Sequence, residues 1–471
     1  MTIRIHDNSN MFRLLNVFNQ LEMQRATAFT RLSTGMRINS ASDDPAGLIA
    51  MNSLESELSS VETAIDNNQR TKSMLDVADG ALTEVSSLLS DIESLAAESA
   101  GDSLSAAEKA ANQAQIDSAL ESIDRILNTS SFNGEKIFGG ANQITASLTA
   151  ADAADLKDVR VYSRNPDQTD VSLTVNVTAA ATQATTSGTS IANITDNLSA
   201  ETTMTVGGKD GTATVTIASG SSLDQMISSI NQSKGTTGVS ASKSGTELVM
   251  TSVDYGSDAF VTVNALSGDN DVVGTAQTGK IEGEDATVTV NGQDAQTDGT
   301  EIYYSGNGIS LSANLADNTT GSRSITVKDG GATYQLGADS STRATISLNG
   351  MNTASLGRSD LGYLSDLKSG GSADLASDPA QAVSIVKKAI GQVASEGARI
   401  GGFQRYQVNS TINSLGVQRV SLSSALSVIR DADMAAETAE LERSNILSSA
   451  ATSLLSMVNS DQKNMLSLLM S

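Results

Sequence analysis

Both ends of this chain are patterned for helix and its middle for strand, and the apolar stripes on the helical ends have no evident cover within either end. From Leu14 the N-terminal stripe runs through Phe18, Leu21, Ala28 and Leu32, a +4/+3 spacing that slips only where Arg25 takes a heptad position. At the far end Leu447, Ala451, Leu454, Val458, Met465 and Leu468 fall on the same spacing, with Asp461 as the polar intrusion. Two such seams can pack on each other only if the chain returns to its starting point. Burying one stripe does not repay the backbone entropy of ordering a helix of that length. Pairing the termini still leaves Phe12, Leu15, Phe29, Leu455, Leu466 and Leu469 facing water, and copies of the same chain are the natural cover. The termini are therefore expected to be disordered in the monomer and to fold on polymerisation.

Composition removes several classes. Cys and Trp are absent and His6 is the single histidine, so Cys/His metal sites, thiol catalysis and His-dependent triads have almost no material. The net charge of −24 argues against nucleic acid and acidic membrane surfaces, since a phosphate backbone demands Lys/Arg neutralisation. No stretch approaches the roughly 18–20 apolar residues of a membrane span, so no membrane insertion is expected. The start, Met1 to Asn10, lacks the basic and apolar regions of a cleaved secretion signal.

The three prolines punctuate the chain. Asp44-Pro45 and Asp378-Pro379 each place an acidic N-cap before a proline suited to the first helical position. Behind Pro45, the residues Leu75, Ala78, Leu82, Val85, Leu89, Ile92 and Ala96 form the cleanest amphipathic signal, ending at Gly101-Asp102. A helix over about 105–128 follows, with Ile116, Ala119, Ile123 and Ile126 or Leu127 inward, and Asn133-Gly134 reads as a hairpin turn. From about 139 to 370 period-two hydrophobics predict strands: Thr212 to Ile217, Val288 and Val290 into Asn291-Gly292, Ser324 to Lys328 into Asp329-Gly330. A short helix, Ser222 to Gln232, and strands at 238–242, 247–252 and 259–263 make one α+β module near 205–265. Helix resumes at Pro379, with Val408, Ile412, Leu415, Leu422, Leu426 and Ile429 inward and a break at 431–433. The expected fold is multidomain α plus β: a nested antiparallel coiled-coil core from both termini, with strand-rich outer domains inserted. Its parts are 1–45 with 431–471 as the inner helical core, 46–165 with 371–430 as a helical shell that includes a β-hairpin region, and 166–370 as the outer domain or domains.

The stretch Arg31-Leu-Ser-Thr-Gly-Met-Arg-Ile-Asn-Ser-Ala-Ser-Asp-Asp-Pro-Ala-Gly47 resembles the N-terminal signature of bacterial flagellin. Ser131-Phe-Asn-Gly134 resembles that family's turn after its second core helix; Ile429-Arg-Asp-Ala-Asp433 and Asn464-Met-Leu-Ser-Leu-Leu469 resemble its C-terminal pattern. A weaker likeness links 222–263 to a small module of some flagellins and hook-associated proteins. The resemblance implies an extracellular flagellar filament subunit for swimming motility, a homopolymer exported by type III secretion. Implied partners are an export chaperone, the cap and the hook-associated proteins. It also assigns Arg31, Gly35, Arg37, Asp43, Asp44, Pro45 and Gly47 to a spoke between helical layers. Gly35 and Gly47 suit a bend there, and Asp43 and Asp44 suit helix capping or pairing with Arg31 or Arg37. Flagellins that stimulate the vertebrate innate receptor carry Arg-x-Arg-Glu-Leu-Ala on the core helix; here the aligned run is Asp91-Ile-Glu-Ser-Leu-Ala96, an inversion of charge at Asp91 and Glu93 that implies weak or absent activation.

Other readings have less behind them. The zinc peptidase of some flagellins needs His-Glu-x-x-His, which one histidine cannot supply. Asp269-Asn270-Asp271 opens like a calcium loop, but Lys280 stands where a bidentate Glu belongs. Gly207-Gly208 and Gly330-Gly331 lack the Gly-Lys-Ser/Thr of a phosphate loop and read as hairpin turns. No catalytic residue, cofactor or metal is expected. A hook-filament junction protein shares the nested helical termini, and a surface adhesin could use the outer β domains, although Tyr303-Tyr304 is their one adjacent aromatic pair and reads as half-core, half-surface strand.

Overall fold

The structure is a computed structural model that describes residues 9–101, 104–140, 142–186, 198, 200–245, 247–267, 279–316, 319–339 and 341–470; at 9, 10, 247, 265 and 461–470 it describes backbone alone. The Asp269-Asn270-Asp271 run and His6 lie outside the described residues, as do the side chains of Asp461, Met465, Leu466, Leu468 and Leu469. The helices are α1 (Ser9–Thr34), α2 (Pro45–Ala100), α3 (Ala106–Thr129), α4 (Asp152–Asp155), α5 (Leu223–Asn231), α6 (Lys234–Thr237), α7 (Pro379–Phe403), α8 (Ser410–Arg430) and α9 (Met434–Met470). None is long and apolar enough to cross a membrane among the described residues.

The chain divides into two compact units, one from 1–67, 337–340 and 411–471, the other from 68–336 and 341–410. The 45/46 and 430/431 boundaries expected from sequence both fall inside the first unit.

In the second unit the amphipathic line of α2 is buried at every expected position, from Leu75 to Ala96. Helix α3 begins with a capping box, Ser105 Oγ accepting from the Glu108 N–H while the Glu108 carboxylate accepts from the Ser105 N–H. Its inward line is Gln113, Ile116, Leu120, Ile123 and Leu127. Leu120 replaces the expected Ala119, because the larger side chain one residue on fills the same face. Pro379 opens α7, with Asp378 accepting from the Gln381 N–H.

The strands form two cores. In the first, a five-stranded antiparallel sheet runs in the order Gln293–Asp294, Thr287–Val290, Val171–Ala179, Gly321–Val327, Ala146–Leu148. It shares one apolar core with a four-stranded sheet ordered Gln296–Asp298, Glu301–Gly306, Ile309–Leu315, Leu156–Ser163. Leu173, Val175, Val288, Val290, Ile302, Tyr304, Leu311 and Ile325 interleave there. Tyr304 is buried and its neighbour Tyr303 exposed, as strand alternation requires. The second core belongs to the α+β module. Strands Thr202–Gly208, Gly211–Ile217, Val239–Ser244, Glu247–Tyr255 and Phe260–Ser267 and helix α5 enclose Met204, Val206, Ile217, Met226, Ile230, Leu248, Met250 and Val261. Ser222 and Gln225 cap α5 reciprocally.

One turn assignment needs correction. Gly321–Val327 does not pair with the strand after Asp329-Gly330. Its Ile325 and Val327 face the first core, so it pairs with Val171–Ala179 and Ala146–Leu148, while Ala332–Gln335 pairs with Arg343–Ile346. The hairpin expected at Gly207-Gly208 is present: they end strand Thr202–Gly208, and Gly208 pairs with Gly211 across the turn at Lys209 and Asp210, where a Cβ on Gly208 would also stand 2.4 Å from the Thr237 carbonyl oxygen.

Between α7 and α8 the chain passes through a π-helical stretch, Gln404–Asn409. The inward residues Val393, Ile400, Val408 and Leu415 are spaced 7, 8 and 7 (400 − 393, 408 − 400, 415 − 408), and the wider turn absorbs the one extra residue.

Candidate assembly surface

The first unit holds the residues on which self-association would rest. Helix α1 lies along α9 in the opposite sense, Glu22 accepting from Ser448 Oγ (2.9 Å) and Arg31 Nη1 donating to Glu437 Oε1 (2.9 Å). On α1 the expected stripe is the inward one: Leu21 and Ala28 are buried, Leu14, Phe18 and Leu32 half-buried. On α9 the expected stripe is only partly inward. Ala451 is buried and Val458 half-buried, but Leu447 and Leu454 stay 42% and 48% exposed.

The line that faces inward on α9 is Leu441, Ser444, Ser448, Ala451, Leu455 and Val458, so Leu455, expected to face water, turns inward instead. It keeps the same alternation of three and four and shares Ala451 and Val458 with the leucine line. Small Ser and Ala side chains let the two helices approach closely, and Ser448 satisfies Glu22. The leucine side is left open, together with Phe12, Leu15, Met23, Phe29, Ile446 and Met457. The alternation at 441–458 was readable in the sequence; hydropathy alone selected its neighbour.

The segment after α1 is tied to the break before α9. Gly35 ends α1 in the left-handed region (φ +70°), its N–H donating to the Arg31 carbonyl (2.8 Å). Met36 and Asp431 then pair as an antiparallel bridge, the Arg37 N–H donating to the Arg430 carbonyl (2.6 Å) and the Ala432 N–H to the Gly35 carbonyl (2.9 Å). The Arg37 guanidinium donates twice to the Ile429 carbonyl (3.1 and 2.8 Å), satisfying an acceptor that the end of α8 leaves open. Neither arginine takes Asp43 or Asp44 as its hydrogen-bond partner. Asp43 accepts from the Asn39 and Ser40 N–H groups (3.0 and 2.8 Å) and from Ser40 Oγ, which holds its carboxyl below the usual aspartate range. Asp44 caps α2 by accepting from the Gly47 N–H (2.9 Å) ahead of Pro45.

Gly47 serves space rather than bending. A Cβ there would stand 2.4 Å from Asp44 Oδ2 and 2.6 Å from the buried Ile38 side chain.

A small core of Val61, Ala64, Ile65 and Leu415 holds α2 to α8, with Ala338 and Leu422 against it. The opposite side of α8 exposes Val417, Val420 and Val428. On α2, Asp91 is exposed and Glu93 half-buried, flanking the buried Ile92. Among the described residues no group of three His, Asp or Glu could hold a metal ion.

Two terminal segments tied together at 35–37 and 430–432, with an apolar seam between their helices and further large apolar side chains left outside, are the features of a structural subunit. Residues 6–143 match the bacterial flagellin N-terminal helical region, 383–469 its C-terminal helical region and 203–254 the flagellin hook IN motif. Flagellin from Clostridium tyrobutyricum is 27% identical over 96% of this chain and 97% of its own length. Flagellin from Salmonella typhimurium is 29% identical over 98% and 99%. The chain belongs to the bacterial flagellin family. Hook-associated protein 3 from Legionella pneumophila, 14% identical over 80% of this chain and 98% of that one, superposes with a TM-score of 0.31.

Proposed function

We propose that this chain polymerises through its helical termini into the bacterial flagellar filament, as an extracellular structural subunit for swimming motility rather than an enzyme. The observation that carries the reading is the pairing of α1 with α9, which leaves Leu447, Leu454, Phe12 and Phe29 exposed with no cover on that side among the described residues. An isolated monomer gains nothing from such a surface, whereas neighbouring copies would bury it.

In this reading the assembly core comprises Leu14, Phe18, Leu21 and Leu32 as the seam inside each subunit, and Leu447 and Leu454 as contacts between subunits. The termini, 1–45 with 431–471, form a nested coiled-coil inner layer; 46–165 with 371–430 form the next layer, and 166–370 the outer surface. Segment 31–47 joins the first two layers. An export chaperone, the filament cap and hook-associated proteins are the partners such a subunit requires.

The test is electron microscopy after a polymerisation trial, using the full chain and a form lacking 1–40 and 440–471. Long uniform filaments from the full chain alone support the reading. A full chain that stays monomeric but binds the ends of preformed filaments would move it to the hook-filament junction.

A further inference from the structure

Four Asn-Gly pairs occur in this chain, at Asn133, Asn291, Asn307 and Asn349, and the fold treats them differently. An asparagine followed by glycine is open to attack by its own backbone, because no side chain shields the glycine nitrogen from the asparagine Cγ. Asn133, Asn291 and Asn307 each open a two-residue hairpin turn in the left-handed region, with φ of +53°, +50° and +53°. That conformation turns the following nitrogen away from the side chain, so attack waits for the turn to open.

Opening is hindered at Asn291, Asn307 and Asn349. The Asn291 N–H donates to the Thr174 carbonyl (2.8 Å) and its Oδ1 accepts from the Thr174 N–H (2.8 Å), which pins main chain and side chain together. Asn307 closes a ladder of six pairs, Glu301–Gly306 against Ile309–Leu315, and Asn165 Cβ lies 3.4 Å from where a Cβ on Gly308 would stand. Asn349 is 5% exposed and its Oδ1 accepts from Ser347 Oγ (3.1 Å).

Asn133 lacks these restraints. Its hairpin has two paired positions, Ser131 with Lys136 and Phe132 with Glu135, extended by one hydrogen bond from the Ile137 N–H to the Ser130 carbonyl (3.0 Å). Asn133, Gly134 and Glu135 are exposed, and nothing lies within 4 Å of a Cβ placed on Gly134. A ladder this short opens locally at little cost.

We propose that Asn133 is a site of spontaneous deamidation, the first of the four to convert. The Gly134 nitrogen bonds to Asn133 Cγ, the side-chain nitrogen leaves as ammonia carrying the proton that the Gly134 N–H gives up, and a succinimide ring closes. Water then adds to either ring carbonyl and opens it, leaving aspartate or isoaspartate at 133. Water is consumed and ammonia released, and no oxidant or reductant enters. Either product places a carboxylate beside Glu135 on the exposed turn. Isoaspartate also lengthens the main chain by a methylene, which a two-residue turn cannot absorb in register. The step is one-way, so the hairpin records how long a subunit has stood in water, whether or not it has polymerised.

The experiment incubates the full-length chain in mildly alkaline buffer, natively and in urea, and follows all four sites by mass spectrometry with fragmentation that separates aspartate from isoaspartate. Cleavage after Arg125 and Lys136 isolates Asn133 in the peptide 126–136. The native chain should convert Asn133 about tenfold faster than Asn307, equivalent to about 1.4 kcal/mol less opening free energy, with Asn291 and Asn349 slower still. In urea the four rates should converge, since the dipeptide is the same at each. Equal rates at the four sites in the native chain, conversion at another site ahead of Asn133, or an Asn133 that stays intact in the native chain overturns the proposal.

Discussion

Replacing Val417, Val420 and Val428 together with Ser should leave the monomer intact and disable polymerisation. These side chains are 69%, 64% and 77% exposed on α8, so the single chain draws little stability from them. Ser and Val also have similar helix propensity, and exposed substitutions of this kind shift stability by about 0.5 kcal/mol or less. Full burial of a valine contributes roughly 1.5–3 kcal/mol, so the area still open amounts to about 1–2 kcal/mol per residue and about 3–6 kcal/mol for the three. If neighbouring subunits cover only half of it, about 1.5–3 kcal/mol is lost per subunit added, and the critical concentration rises by roughly 10- to 150-fold. Seeded polymerisation followed by sedimentation gives that concentration, and circular dichroism of the unpolymerised chain supplies the stability control. A critical concentration within about twofold of the parent, at unchanged monomer stability, would refute the claim that this face is an interface.

Gly47→Ala should destabilise the first unit by about 1–3 kcal/mol, since the new methyl meets the Asp44 cap and Ile38; thermal unfolding checks it. The Asp43 carboxyl lies below its ordinary value of 3.8 because the Asn39 and Ser40 N–H groups favour its charged form. Its contribution is therefore present above that value and lost as the pH falls through the lower folded-state value; Asp43→Asn should remove this acid dependence from hydrogen exchange at Ser40. Gly416→Ala should raise monomer stability by up to about 1 kcal/mol, because nothing lies within 4 Å of the added Cβ, while slowing polymerisation if a neighbouring helix approaches there. With Asp91 and Glu93 in place the chain should evoke little response in innate-receptor reporter cells, and converting both to Arg should raise it; a strong response to the parent chain at nanomolar concentration contradicts this.

Local signals in the sequence carried furthest. The buried line of α2 from Leu75 to Ala96, the caps at Asp44 and Asp378, and the Asn133-Gly134 and Asn291-Gly292 turns depend on neighbours a few residues away. The α+β module was legible for the same reason, its helix and following strands being contiguous. Long-range choices were not legible. Strand Gly321–Val327 joins partners more than a hundred residues upstream, which no turn residue encodes. On α9 two seams share Ala451 and Val458; hydropathy ranks the leucine seam first, but close helix approach and the Glu22–Ser448 hydrogen bond favour the serine seam.

That choice of seam bears on the polymerisation proposed above. Turned inward, Leu447 and Leu454 would be covered within one subunit. Turning the serine seam inward keeps the pair together through close approach and leaves Leu447 and Leu454 outside. Helical glycines show the same bias: at Gly80, Gly397, Gly401, Gly402 and Gly416 no neighbour lies within 4 Å of an added Cβ, so no contact within the chain accounts for about 1 kcal/mol of lost helix propensity at each. The strand-rich cores, by contrast, enclose their own large apolar residues, from Leu173 to Ile325 and from Met204 to Val261. The strand-rich cores thus close within one chain while exposed apolar side chains collect on α1, α8 and α9, as the proposed polymerisation through the helical termini requires.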